Sequence, residues 1–168
     1  MIIAFTTGDL FLTRFDTFVQ ALLPQQSING QITVPLDVGD SIFNENTTTF
    51  LGLKNISSTP YRITETYYSD QGFLKGVGNV TNNQTYIDTY LSDKLVQSTG
   101  NGTFETPDGQ SIAWISSAIG KPVDDRWIFY GIRVFNNTQS ESFSLLNNSI
   151  GLSKSILGNE TDYIWILK

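Results

Sequence analysis

Arg126-Trp127-Ile128-Phe129-Tyr130-Gly131-Ile132-Arg133-Val134-Phe135 is the stretch that reads most plainly in this chain. Aromatic and β-branched side chains dominate it, and such residues fit a pleated, half-buried surface. It predicts the strongest strand of the molecule. Pro122-Val123-Asp124-Asp125 precedes it and Asn136-Asn137-Thr138 follows it, and Pro, Asp and Asn are residues that make turns. Working outward, strand and turn alternate from residue 31 onward. Residues 31–36 place Ile32, Val34 and Leu36 on one face, the period-two pattern of a half-buried strand. Residues 49–56 carry Phe50, Leu51 and Leu53, and a turn at Asn55 to Pro60 leads into residues 61–68. Residues 84–91 alternate Tyr86, Asp88 and Tyr90 with Thr85, Ile87 and Thr89. Gly100-Asn101-Gly102 and Pro107-Asp108-Gly109 read as turns. Residues 111–119 read as a buried strand or a short helix, 142–146 as the segment after the strongest strand, and 163–167 as the last strand. Roughly nine or ten short strands with polar turns predict an all-β single domain, a β-sandwich or jelly roll.

The first 24 residues behave differently. Phe11, Phe15, Phe18 and Leu22 recur at helical spacing, with Asp9 placed to cap the stripe and Pro24 to end it. Ahead of them, residues 1–7 look extended, with Ile3 and Phe5 on one side and Ile2 and Ala4 on the other. The chain therefore divides into an N-terminal extension, 1–24, and a β-sandwich head, 25–168. Residues 1–12 lack the basic and long apolar regions of a signal peptide. Export would then need a leader removed upstream or another route.

Eight Asn-x-Ser/Thr triplets begin at Asn46, Asn55, Asn79, Asn83, Asn101, Asn136, Asn147 and Asn159. About three would arise by chance in so Asn-, Ser- and Thr-rich a chain, so the set predicts N-linked glycan on solvated loops or edges. That points to an extracellular, cell-surface protein. Only 15% of residues are charged and the net charge is −6, so neutral polar groups carry the solubility, and these keep their hydration in acid where carboxylates lose their charge. Ten Lys plus Arg in this acidic balance argue against nucleic acid as a partner. No run of 18 apolar residues is present, so no membrane-spanning helix is expected.

Catalytic constellations are hard to assemble. There is no Cys and no His, which removes thiolate chemistry, the usual general base and the commonest metal ligand. Asp37 with Asp40, and Asp124 with Asp125, are sequence-adjacent acid pairs, and they read as solvated turn acids rather than a glycosidase pair. Looser oxygen ligation of a cation by Asp37 and Asp40 is the alternative at that turn. No glycine-rich phosphate loop or helix-loop-helix calcium loop occurs. The sequence thus predicts no catalytic residues, no metal, no cofactor beyond attached glycan, and a protein that is not an enzyme. Tyr67, Tyr68, Tyr86 and Tyr90 are candidates for a sugar-stacking platform, although aromatics in strands are more often core or cross-strand pairs.

Val38-Gly39-Asp40-Ser41, then residues 50–58, then Tyr61-Arg62-Ile63-Thr64, form a run that resembles secreted, fibre-forming β-sandwich subunits of the TasA type and archaeal bundling pili and threads. The resemblance covers about 30 residues of a pattern generic to β-sandwiches. It implies a subunit that completes its neighbour's sheet with its own N-terminal strand. Such donation supplies backbone bonds along an open edge while alternate side chains fill pockets. Ile3 and Phe5 are the candidate pocket-filling residues, joined by Leu10 and Leu12 if the extended stretch runs on, although Gly8-Asp9 interrupts the pattern. Head-to-tail donation does not close, so the expected assembly is a homopolymeric filament, serving adhesion or biofilm. A viral capsid or spike jelly roll and a monomeric sugar-binding adhesin are the alternatives.

Overall fold

In the computed structural model, residues 39–157 and 161–167 are described. Period-two alternation runs through the long strands and sends one set of side chains inward. In one strand, buried Ile112 and Trp114 alternate with exposed Ser111, Ala113 and Ile115. The elements are β1 (Phe43–Ser57), β2 (Arg62–Leu74), β3 (Gly78–Ser92), β4 (Leu95–Glu105), β5 (Ser111–Val123), β6 (Arg126–Phe135), β7 (Ile150–Ile156) and β8 (Thr161–Ile166). A single 3-10 turn, Ser144–Leu146, lies between β6 and β7. Each strand pairs antiparallel with its neighbours in sequence, and β1 pairs β8 through Phe43↔Ile164 and Asn44↔Tyr163. The result is a closed eight-stranded meander.

The sandwich or jelly roll expected from the sequence is therefore corrected to a barrel. Polar pairs and glycines suggested many short strands, but the strands are long: β1 and β3 have 15 residues each. Gly100-Asn101-Gly102, read as a turn, lies inside β4. A Cβ on Gly100 would sit 2.5 Å from the Tyr86 ring, and one on Gly102 would sit 2.5 Å from the Trp114 ring. These glycines make room for rings projecting from the flanking strands, the small-against-large alternation that fills a narrow barrel. Segment 111–119 is strand, and segment 142–146 contains the 3-10 turn Ser144–Leu146. The turns at Pro107-Asp108-Gly109 and Asp124-Asp125 are where the sequence put them, with Asp124 at φ 55° in a two-residue hairpin loop between paired Val123 and Arg126. The strongest predicted strand coincides with β6.

The apolar core fills one end of the barrel. Phe43, Leu74, Val80, Phe104, Ile112, Trp114, Phe135 and Ile164 are buried there together with Phe143 and Leu146, the buried residues of the 3-10 segment, which forms a plug at this end. The Phe43 and Phe104 rings lie 5.0 Å apart, and Phe104 stacks on Phe135 at 6.3 Å. Asn147 ties the plug down: its Oδ1 accepts from the Thr138 N–H at 2.8 Å and its Nδ2 donates to the Thr138 carbonyl at 3.0 Å. The opposite end, where the β3–β4 and β5–β6 hairpins turn, is left for the site. The predicted strand at 31–36, the helical stripe, and the donor-strand residues Ile3, Phe5, Leu10 and Leu12 lie outside the described residues.

Candidate functional site

Inward positions above the core change character from apolar to polar. On β2 the inward positions before core-facing Gly72 and Leu74 are Thr66, Tyr68 and Asp70, on β3 they are Asn82, Gln84 and Tyr86, and on β6 they are Phe129, Gly131 and Arg133. These side chains enclose a cavity of about 280 Å³. Its walls include Phe50, Tyr68, Tyr86 and Phe129, and the hydroxyls of Thr48, Ser98, Ser116, Ser153 and Ser155. Small residues on β4, β5 and β7 leave the space that larger ones would have filled.

The floor is a buried hydrogen-bond network. The Trp114 indole N–H donates to Asn82 Oδ1 at 3.0 Å. Asn82 Nδ2 donates to Gln84 Oε1 at 2.9 Å and to Asp70 Oδ2 at 3.2 Å. Gln84 Nε2 also donates to Asp70 Oδ2, and the Tyr86 hydroxyl donates to Gln84 Oε1 at 2.8 Å. Arg133 is 1% exposed. Its Nη2 donates to Tyr86 Oη at 3.2 Å and to Asp162 Oδ2 at 3.0 Å, and its guanidinium carbon lies 3.9 Å from the centroid of the Trp114 ring. Asp162 Oδ1 accepts from the Ser155 hydroxyl at 2.9 Å. A charged pair this deep is held only when both partners are well bonded, yet Arg133 Nε and Nη1 and Asp70 Oδ1 are buried and make no hydrogen bond of sound geometry to the described residues.

Titration follows from that burial. Burial, and then the Asp162 carboxylate, push Asp70 up to about 6; the Thr48 hydroxyl, Asn82 and Arg133 pull the other way. Burial likewise raises Tyr86 far above an ordinary phenol, and raises Asp88 against the opposing Ser98 hydroxyl. Burial works against the Arg133 charge, but Asp162 and Tyr86 outweigh it and raise its pKa.

The expected sites are dispersed by this fold. Of the tyrosines named as a platform, Tyr68 and Tyr86 face the cavity with rings 6.3 Å apart. Tyr67 alternates to the outer face, where a hydrogen bond with Glu65 raises its pKa, and Tyr90 lies under the Arg62 guanidinium at 4.3 Å. Asp124 and Asp125 form an exposed hairpin tip. Exposed Asp40 pairs with Lys75 at 3.6 Å, and Asp37 lies outside the described residues. Among the described residues no cluster of acids is arranged to hold a metal, and no helix is long and apolar enough to cross a membrane. Asn46, Asn55, Asn79, Asn83 and Asn101 stand exposed on strands rather than in loops, and Asn136 is exposed just after β6. Asn147 is half-buried and uses its amide in the Thr138 clasp, while Asn159 lies outside the described residues.

Reading by pattern passed over Asp70, Asn82, Gln84, Arg133 and Asp162. One signal was available: Arg133 sits inside the most apolar strand of the chain, two residues from Phe135 on the same face, and a charge on a buried face needs a partner. Compared with protein-family models, curated proteins and solved structures, the chain matches none.

Proposed function

We propose that this protein binds a small molecule in the open end of its barrel. The cavity carries the reading. Eight strands enclose an interior that side chains fill or that holds one small ligand, and here one end is filled while the other keeps about 280 Å³ between aromatic walls and a polar floor. Mostly apolar walls with a few fixed polar groups are the usual make-up of a ligand site. A fragment screen by ligand-observed NMR tests it, with Ala118→Phe as the blocked control, since Ala118 lines the cavity. Ligands that bind wild type and are lost in that variant support the reading. An empty screen, or hits indifferent to Ala118→Phe, would sink it.

A second reading is favoured by one edge. Among the described residues β1 meets β8 only at Phe43 and Asn44, while its far half presents Phe50, Leu51, Leu53 and Ile56, each about half exposed. An apolar strand edge is a template for pairing with another chain. We infer on that basis a glycosylated, extracellular filament subunit that receives the N-terminal strand of a neighbour. Electron microscopy of native material tests this: long unbranched fibres, lost on deleting residues 1–12, are expected. Dispersed monomers, or fibres that survive the deletion, exclude it.

A further inference from the structure

The two orphaned groups on the cavity floor have opposite needs. Arg133 Nε and Nη1 are donors without an acceptor, and Asp70, although the Thr48 hydroxyl lies near its carboxyl, has an Oδ1 that accepts no hydrogen bond of sound geometry. Buried polar atoms are nearly always bonded, and each one left alone weakens the fold. Both belong to residues of the cavity lining. A carboxylate ligand would satisfy Arg133 but meet Asp70 and Asp162; an ammonium would satisfy Asp70 but meet Arg133. A hydroxyl both accepts and donates, and carries no charge.

We propose, resting on the small-molecule reading above, that the cavity takes an uncharged ring compound bearing a hydroxyl, which accepts from Arg133 and donates to Asp70. The ring lies between Phe50, Tyr68 and Phe129, and the hydroxyls of Ser98, Ser116 and Ser153 offer partners to further oxygens. A volume of about 280 Å³ lies just below the range of drug-sized sites, which suits one small ring.

The network fixes how the site responds to change. Asn82 and Gln84 both donate to Asp70 Oδ2, so an amide at position 70 must put its oxygen there and its NH₂ at the Oδ1 position. Asp70→Asn therefore replaces the acceptor with a donor. Protonation of Asp70 does the same, because the proton goes to Oδ1. The charged or titratable groups around it are Asp162, Arg133, Tyr68, Tyr86, Asp88 and Glu45; benzyl alcohol itself does not titrate.

The experiment is a chemical-shift titration of the full chain with probes that share a phenyl ring: benzyl alcohol, acetophenone, benzoate and benzylammonium. For wild type at pH 7.5, benzyl alcohol is expected to bind tightest. In Asp70→Asn it weakens about tenfold, the size of one hydrogen bond to a charged group, and acetophenone, an acceptor only, overtakes it. Wild type moved to pH 5 shifts in the same direction, which keeps the test usable if the variant fails to fold. Methyl glucoside is a fifth probe. Binding tighter than benzyl alcohol assigns the hydroxyl to a sugar ring, and weaker binding assigns it to a less polar ring. Benzoate or benzylammonium equalling the alcohol, or an order unchanged by Asp70→Asn and by pH, overturns the hydroxyl assignment and leaves the small-molecule reading standing. If no probe binds while the fragment screen yields ligands lost in Ala118→Phe, the assignment also falls alone; if that screen is empty too, both fall.

Discussion

Gly102 lies where two groups converge: a Cβ there would approach the Trp114 ring at 2.5 Å and the Asn83 carbonyl oxygen at 2.6 Å. Backbone cannot swing aside as a flexible side-chain end can. Gly102→Val is expected to lower stability by about 3 kcal/mol, the upper part of the usual range for overpacking, and thermal denaturation reads it directly. Asp70 acts through charge. Its carboxyl is raised from 3.8 to about 6 on folding, so the native state holds the proton more tightly between those values. Stability from this group therefore rises as pH falls from above 6 toward 4, and is lost as pH climbs back. Asp70→Asn removes the slope. The stability of the variant relative to wild type is expected to shift by about 2.5 kcal/mol in the variant's favour between pH 4 and pH 7.5. Denaturant melts at the two pH values measure this, and a parallel dependence in both proteins would show that Asp70 is not the titrating group.

At the scale of elements, the barrel is strongest where strands overlap fully and weakest at its seam. β2 and β3 pair from Arg62↔Tyr90 to Leu74↔Gly78, whereas β1 and β8 share two residue pairs. Ser41 reinforces that seam, since its hydroxyl lies 3.0 Å from the Ile164 carbonyl and accepts from the Ile164 N–H at 3.3 Å. Amides with few protecting contacts open locally at low free energy. Hydrogen exchange is expected to be fastest among the long strands in the far half of β1, residues 47–57, and slowest in β3 to β5. The plug is the other decisive element. Phe143 is fully buried, and Phe143→Ala is expected to cost about 3–5 kcal/mol, seen as a large fall in the denaturation midpoint.

For the whole molecule, the outer surface is where a glycan coat would lie. Asn46, Asn55, Asn79, Asn83, Asn101 and Asn136 are exposed, so each is open to a sugar on the folded barrel. Asn147 is not, because its amide nitrogen donates to Thr138. Site-by-site mass spectrometry of the native protein is expected to find sugar on exposed sites and Asn147 bare. Glycan on Asn147 would mean that the plug is built differently or that modification precedes folding.

The sequence by itself determined the all-β class, the place of β6, and the hairpin tips at Asp124-Asp125 and Pro107-Asp108-Gly109, because period-two alternation and turn chemistry are local. It misread Gly100-Asn101-Gly102 because the same residues that make a turn also make room for a ring, and the rings of Tyr86 and Trp114 arrive from other strands. Closure was hidden for a similar reason: the pairing of Phe43 with Ile164 joins residues 121 apart, and alternation reports a face, never a partner. The cavity was equally out of reach. Asp70, Asn82, Arg133 and Asp162 come from β2, β3, β6 and β8, and their carboxylate, amide and guanidinium groups meet only once the sheet has curled shut. Only then does the polar character of their inward positions become a site, because burial removes the water that would otherwise satisfy them.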